Sequence, residues 1–221
     1  MTRVPVVEKI TRANDQIAAL TRDLLDRHAV FGLNLLASPG AGKTSLVERT
    51  LERLAGRLRV GVIEGDLATS LDAERAAAAG ARAVQVNTGG ACHLDAPMVH
   101  SALAELPLAE IDVLIVENVG NLICPAGFAL GTHANVLVAS TPEGDDKPYK
   151  YPSMYSRVDT LVVNKIDLLP HLDFDMERFR RGVATLNPGV RTFPLSCRTG
   201  EGVDDWVAWI GAMARLKRPP G

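Results

Sequence analysis

Aromatic residues make up only 5% of this 221-residue chain, and cysteine occurs three times. Neither sign of charge is in excess, since 24 Lys and Arg stand against 26 Asp and Glu for a formal net charge of -2. Such a balance excludes a general nucleic-acid or membrane-surface binder, each of which needs a strong basic patch. No apolar run approaches the roughly 20 residues that span a bilayer. The opening Met1-Thr2-Arg3-Val4-Pro5 carries charge early and is followed by no long apolar signal core. Cys92, Cys124 and Cys197 are too few, and odd in number, for a disulfide framework. These absences predict a cytoplasmic protein whose cysteines are buried, reactive or metal-bound. What is present, 47% hydrophobic residues at this length, predicts one domain over 1–221 with no internal repeat.

Ile10, Ala13, Ile17, Leu20 and Leu24 recur at spacings of three and four, which predicts an N-terminal helix within 1–30. The body, 31–216, then alternates short apolar runs with helical stretches. The runs lie at 33–36, 60–63, 84–86, 113–116, 136–138 and 161–163, with a weaker seventh at 192–195 whose Pro194 suggests a sheet edge. Helices are predicted at 44–56, the alanine-rich 71–80, 95–104, about 146–157, 174–186 and 203–217. The last places Trp206, Trp209, Ile210, Met213 and Leu216 on one face, and the tail 217–221 is expected to fray. Apolar strands alternating with helices predict an α/β fold with a mostly parallel sheet of about seven strands, covered on both faces. In such a sheet ligands bind at the carboxyl ends of the strands, so the residues just past each strand are the informative ones.

Ala37-Ser38-Pro39-Gly40-Ala41-Gly42-Lys43-Thr44 follows the first strand and opens a helix. It has the form of a phosphate-binding P-loop, with Ala37 in place of the first glycine. Backbone N–H groups of Gly40, Ala41, Gly42, Lys43, Thr44 and Ser45 would cradle phosphate at the helix N-terminus. Lys43 would neutralise the β- and γ-phosphates, and Thr44 would ligate Mg²⁺. Asn164-Lys165-Ile166-Asp167 follows the sixth strand in the N-K-x-D placement of a GTPase. Asp167 can accept both N1–H and the 2-amino group of guanine, whereas adenine offers no matching pair of donors. Ser196-Cys197-Arg198 after the last strand takes the place of the Ser-Ala-x segment that braces the base, with Cys197 as a small packing residue. Asp66 closes the second strand, and Glu117 opens a D-x-x-G-like switch, Glu117-Asn118-Val119-Gly120, with Glu in place of Asp. Both acids are candidates to hold Mg²⁺, and Gly120 to sense the γ-phosphate. Asn121 stands where GTPases with fast turnover carry Gln, so slow turnover is expected.

Cys92 and His93 follow the third strand, and Cys124 lies seven residues after Glu117. Thiolate with imidazole favours Zn²⁺ or Ni²⁺ over Mg²⁺. Three ligands are one short of a closed tetrahedral site, which implies a shared dimer interface or an open position. Adjacent residues of a strand face opposite ways, so Cys92 and His93 can share a metal only in a turn, and the two cysteines rank above the histidine. On spacing alone, two buried cysteines and a surface histidine fit the same residues equally well.

The P-loop, Glu64-Gly65-Asp66, Gln85-Val86-Asn87-Thr88-Gly89, Cys92-His93-Leu94-Asp95 and Glu117-Asn118-Val119-Gly120-Asn121-Leu122 together resemble the HypB family of hydrogenase nickel-incorporation GTPases. So do Cys124-Pro125-Ala126, Gly144-Asp145-Asp146-Lys147-Pro148, Lys150-Tyr151-Pro152 and Asn164-Lys165-Ile166-Asp167-Leu168-Leu169-Pro170. The likeness runs from about Val7 to Ile210. It implies a dimerising P-loop GTPase in which Cys92, His93 and Cys124 form a metal site at a GTP-promoted homodimer interface. It also implies that Lys147 reaches the nucleotide of the other protomer. The implied partners are a HypA-type nickel/zinc accessory protein and a hydrogenase large-subunit precursor. The cysteine-rich nickel motif or histidine-rich stretch that some members carry near the N-terminus is not matched here. Other readings of the same motifs are a urease-accessory GTPase, whose metal motif is Cys-Pro-His, an ATP-dependent kinase, which Asp167 disfavours, and a zinc-bridged scaffold that binds nucleotide without turnover.

Overall fold

The computed structural model describes residues 6–66 and 80–218. All seven apolar runs form strands: β1 (Phe31–Ala37), β2 (Val60–Asp66), β3 (Arg82–Asn87), β4 (Val113–Glu117), β5 (Ala134–Ser140), β6 (Thr160–Asn164) and β7 (Arg191–Pro194). They make one all-parallel sheet in the order β3-β2-β4-β1-β5-β6-β7. Pro194 ends β7, the edge strand, where its missing N–H costs no ladder bond. Among the described residues the α-helices are α1 (Val6–Arg27), α2 (Lys43–Leu54), α3 (Ala96–Leu103), the single turns α4 (Lys147–Lys150) and α5 (Pro152–Tyr155), α6 (Met176–Leu186) and α7 (Val203–Lys217). The expected helix over 71–80 lies, but for its last residue, outside the described residues, as do 219–221 of the tail.

Alternation along β1 decides which helix covers which face. Phe31, Leu33, Leu35 and Ala37 pack with Leu46, Val47 and Leu51 of α2 and with Trp206 and Ile210 of α7. The opposite face divides into two apolar clusters. Ile63, Leu114 and Val116 meet Leu25 of α1 and Val99 and Leu103 of α3. Leu36, Leu137 and Val163 meet Tyr155 of α5 and Phe179 and Val183 of α6. Asn34, in register with Val116 and Asn135, carries an amide ladder across this face of the sheet: Asn34 Nδ2 donates to Asn135 Oδ1 at 3.0 Å, and Asn118 Nδ2 donates to Asn34 Oδ1 at 3.2 Å. Buried amides are tolerated because they satisfy one another.

Three expectations are revised. The helix over 146–157 is two turns broken at Tyr151 (φ -126°, ψ 52°), because Pro152 lacks an N–H and disfavours helical backbone in the residue before it. Leu216 is 76% exposed rather than part of the α7 stripe. At 3.6 residues per turn it lies about 80° from Trp206 around the axis, whereas Lys217 falls within about 20°. Lys217 and Arg218, expected to fray, are both tied down. Lys217 Nζ donates to Asp26 at 2.7 Å, and Arg218 Nη2 to Asp112 at 2.7 Å.

Asp112 sits just before β4, at the amino end of the sheet, and also accepts from Arg59 through its backbone N–H (2.8 Å), Nε (3.2 Å) and Nη2 (2.8 Å). Burial pushes its carboxyl up, but the Arg59 and Arg218 donors outweigh burial and hold it well below the usual carboxylate range. A depressed carboxylate stabilises the fold above its unfolded-state value of about 3.9, and that contribution is lost as pH falls through the lower folded value. Asp112→Asn should therefore lower stability by about 1–3 kcal/mol near pH 7. Denaturant midpoints measured at neutral pH and near pH 2.5 check this, and the gap between variant and parent should narrow in acid.

Candidate functional site

All seven strands point their carboxyl ends to one edge, and the expected motifs gather there because the sheet is parallel. Residues 38–42 leave β1 and enter α2 at Gly42, whose φ of +98° is open to glycine and strained for other residues. A Cβ on Gly42 would also run into Asn164 Nδ2, so this glycine is required twice over. Gly42 offers no side-chain cap to α2, which leaves the first-turn N–H groups facing an anion's position.

Asn164 joins the loop after β6 to the loop after β1. Its Nδ2 donates to Ala41 O at 3.0 Å, and its Oδ1 accepts from Lys165 N at 2.7 Å and Cys197 N at 3.2 Å. Lys165 adopts φ +63°, and its Nζ donates to Gly40 O at 2.7 Å. Asp167 Oδ1 accepts from Ser196 Oγ at 2.6 Å, and Thr199 N donates to that same hydroxyl at 3.1 Å. Gly42, Ser45, Asn164, Lys165, Asp167 and Arg198 line a cleft of about 350 Å³, within the usual size range of a small-ligand site. Cys197 is buried beside it, and burial pushes its thiol up to about 11, the behaviour of an inert packing residue.

Thr44 Oγ1 donates to Glu117 Oε1 at 2.7 Å and so bonds the head of α2 to the end of β4. Glu117 is in register with Glu64 of β2, and these carboxylates are 7% and 3% exposed. Asp66 ends β2 two residues beyond Glu64. Glu117, bonded to the Thr44 hydroxyl, offers hard oxygen donors of the kind that suit Mg²⁺. Glu64 figured in the sequence reading only as part of Glu64-Gly65-Asp66, with Asp66 as the candidate ligand; the signal for Glu64 itself was the period-two spacing between them.

The loop after β3 turns tightly, with Ala91 N donating to Thr88 O at 3.1 Å and both Gly89 and Gly90 at positive φ. The turn brings together what an extended strand would separate. Cys92 Sγ lies 3.4 Å from His93 Nδ1, and ligand atoms of Cys92, His93 and Cys124 all fall within 4.8 Å of one another. Ligands about 2.0–2.3 Å from a tetrahedral metal are separated by roughly 3.3–3.8 Å, so small adjustments of side chains would close the set. Hydrogen bonding to the Cys124 sulfur, with some burial, pushes the Cys92 thiol up, while burial against the Phe128 ring, at 4.3 Å, pushes His93 down. Two thiols and an imidazole gathered this closely form a donor set that a divalent cation can take up with release of any bound protons.

Lys147, at the start of α4, lies 5.4 Å from the centre of the Tyr151 ring. The sequence reading missed several supporting residues. Ser38 Oγ of the P-loop donates to Glu143 Oε1, and Glu143 Oε2 accepts from the Ser140 N–H at 2.8 Å. Ser140 and Glu143 are three apart, the spacing of a capping box, which was the available signal. Arg49 Nε donates to Cys197 O at 2.8 Å and clasps the base-side loop from α2. Asn121, read as a water-orienting position, donates from Nδ2 to Cys92 O at 3.3 Å, and its Oδ1 accepts from Ile123 N at 2.8 Å and Cys124 N at 3.4 Å.

Among the described residues, no helix is long and apolar enough to cross a membrane. The family described as CobW/HypB/UreG, nucleotide-binding domain, matches residues 33–194. Hydrogenase maturation factor HypB of Rhizobium leguminosarum bv. viciae is 48% identical over 213 residues, covering 96% of this chain and 71% of that protein. The crystal structure of HypB from Helicobacter pylori in complex with nickel matches with a TM-score of 0.88 at 33% identity, over 94% of this chain and 98% of that one. HypB from Archaeoglobus fulgidus matches with a TM-score of 0.86, also at 33% identity, over 92% of this chain and 99% of that one. The P-loop fold, the nucleotide-binding family match and these relatives agree, and the chain belongs to the HypB family of hydrogenase maturation factors.

Proposed function

We propose that this chain is a GTP-hydrolysing metallochaperone that carries nickel to a hydrogenase precursor. One observation carries the reading: a single backbone segment, residues 117–124, begins at the carboxylate bonded to P-loop Thr44 and ends at Cys124 of the thiol–imidazole cluster. A change at the phosphates is thereby only a few peptide units from a metal ligand. The likeness to a HypB solved with nickel supports Ni²⁺ as the cargo, and the donor set admits Zn²⁺ as well.

Asp167, braced by Ser196, reads the guanine edge, and Asn164 holds that reader against the P-loop. Lys43 offsets charge gathering on the β- and γ-oxygens as the terminal phosphate leaves. Thr44 and Glu117, with Asp66 from the end of β2, are the residues that would hold Mg²⁺. When bound, that ion neutralises phosphate charge as a Lewis acid. Gly120, a Cβ on which would lie 3.2 Å from Pro39 Cα and N, is close enough to the P-loop to respond to a γ-phosphate. Ile123, 72% exposed beside Cys124, supports a second copy of the chain on this face, which would complete the three-ligand set from across the interface. In that dimer Lys147 would reach the partner's nucleotide, and a HypA-type protein would assist transfer in the cytoplasm.

Asp167→Asn should weaken GTP binding by about 10- to 150-fold, since it removes charge-assisted hydrogen bonds worth about 1.5–3 kcal/mol. The same variant should gain affinity for xanthosine triphosphate, whose 2-oxo group accepts from an amide. Competition binding of the two nucleotides reads both effects, and an unchanged preference would remove the base-site assignment.

Lys43→Ala should lower GTP turnover by at least about 100-fold. Phosphate release measured on the parent and the variant tests the hydrolytic reading, and a parent that binds GTP without any turnover would leave a nucleotide-binding scaffold in its place.

A further inference from the structure

Asn121 follows Gly120 directly, and both ends of its amide are engaged with the cysteine loops. Its Nδ2 holds the Cys92 carbonyl at 3.3 Å, while its Oδ1 takes the N–H groups of Ile123 and Cys124 at 2.8 and 3.4 Å. These two loops belong to different strands, β3 and β4, and one side chain spans them. Two of the three bonds lie near the long limit of hydrogen-bond geometry, so a small displacement of the Asn121 backbone tightens or breaks them.

The neighbouring attachment is of another kind. Leu94 N donates to Asn118 Oδ1 at 2.9 Å, and Asn118 Nδ2 rests on Asn34 Oδ1. Asn34 and Asn118 are each 1% exposed, so Leu94 is anchored to the middle of the sheet. Cys92 instead hangs from Asn121, and Asn121 hangs from a glycine in contact with the P-loop.

We propose that Asn121 is the positioning residue of the metal centre: its single amide sets the spacing of the Cys92 and Cys124 backbones and passes displacement of Gly120 to both. The inference rests on the metallochaperone reading and deepens it. It also gives this position a different role from that of a water-orienting glutamine. The side chain at 121 is spent on the metal loops, so the phosphate state is reported to the thiols.

Nickel titration with chelator competition, followed by the thiolate-to-nickel absorption band, tests the proposal on the full chain loaded with GDP or with a non-hydrolysable GTP analogue. Removal of a group that orients a metal ligand commonly costs about 10–100-fold in affinity. Asn121→Ala should show a loss of that size in at least one nucleotide form, and its ratio of nickel affinities between the two forms should move toward one. Asn121→Asp keeps the acceptor for Ile123 and Cys124 but loses the donor to Cys92, and should fall between alanine and the parent. Parent-like nickel affinity and parent-like ratio in Asn121→Ala overturn the proposal. So does slowed single-turnover GTP hydrolysis in that variant with its nickel behaviour unmoved, which would return the residue to the water-orienting role. If the parent's nickel affinity ignores the nucleotide, or Cys92→Ser and Cys124→Ser bind as the parent does, the metallochaperone reading falls too. A negative result confined to Asn121 leaves that reading standing.

Discussion

The hydrogen bond from Thr44 Oγ1 to Glu117 Oε1 joins the two halves of the candidate site, because it ties the first turn of α2, just past the P-loop motif, to β4, the strand from which the loop carrying Cys124 departs. Glu117 is buried and has another buried carboxylate, Glu64, beside it in register on the next strand. A divalent cation held beside Glu117 would offset its buried carboxylate charge. In the proposed reading the same carboxylate would bear on nucleotide and Mg²⁺ together. Gly120 lies three residues on, and Cys124 four beyond that, so the proposed coupling has a short path.

The two sides of the site are built to different stiffness. On the base side, Asn164, Lys165, Ser196 and Arg49 lace the loops after β1, β6 and β7 to one another with bonds of 2.6–3.2 Å. That side has little reason to move between nucleotide states. On the metal side, the 92–93 and 118–124 loops are held by a few amide contacts, with Cys92 exposed and Cys124 half-buried. Segments with few buried contacts open at low cost, and switches are drawn from them. A rigid reader beside a compliant metal loop is what a device needs if phosphate chemistry is to change ligand geometry without releasing the base.

Most of the architecture was legible in the sequence because each strand carries a short apolar run, the edge strands more weakly, and the nucleotide and metal motifs follow strands. The P-loop and Asn164-Lys165-Ile166-Asp167 need only local spacing to be recognised, and the parallel sheet then brings them to one edge. Alternation also stated correctly what Cys92 and His93 required, a turn, and Gly89 and Gly90 provide it. Relations between distant segments were not legible. Ser38 meeting Glu143, and Asn121 reaching back to Cys92, depend on which loops the sheet places side by side. Helical periodicity at 146–157 concealed the break that Pro152 enforces, and the α7 stripe was extended one residue too far, to Leu216.

Linkage offers the most direct test of the central claim, that nucleotide state and metal geometry are joined through residues 117–124. If GTP changes the metal site, metal must change the preference for GTP over GDP by the same free energy. The measurement is calorimetric binding of GDP and of a non-hydrolysable GTP analogue, each with and without one equivalent of Ni²⁺. The account predicts that nickel alters the ratio of the two nucleotide affinities by about 5- to 150-fold in the parent, and leaves it unaltered in Cys92→Ser. A ratio that nickel does not change in the parent would contradict it.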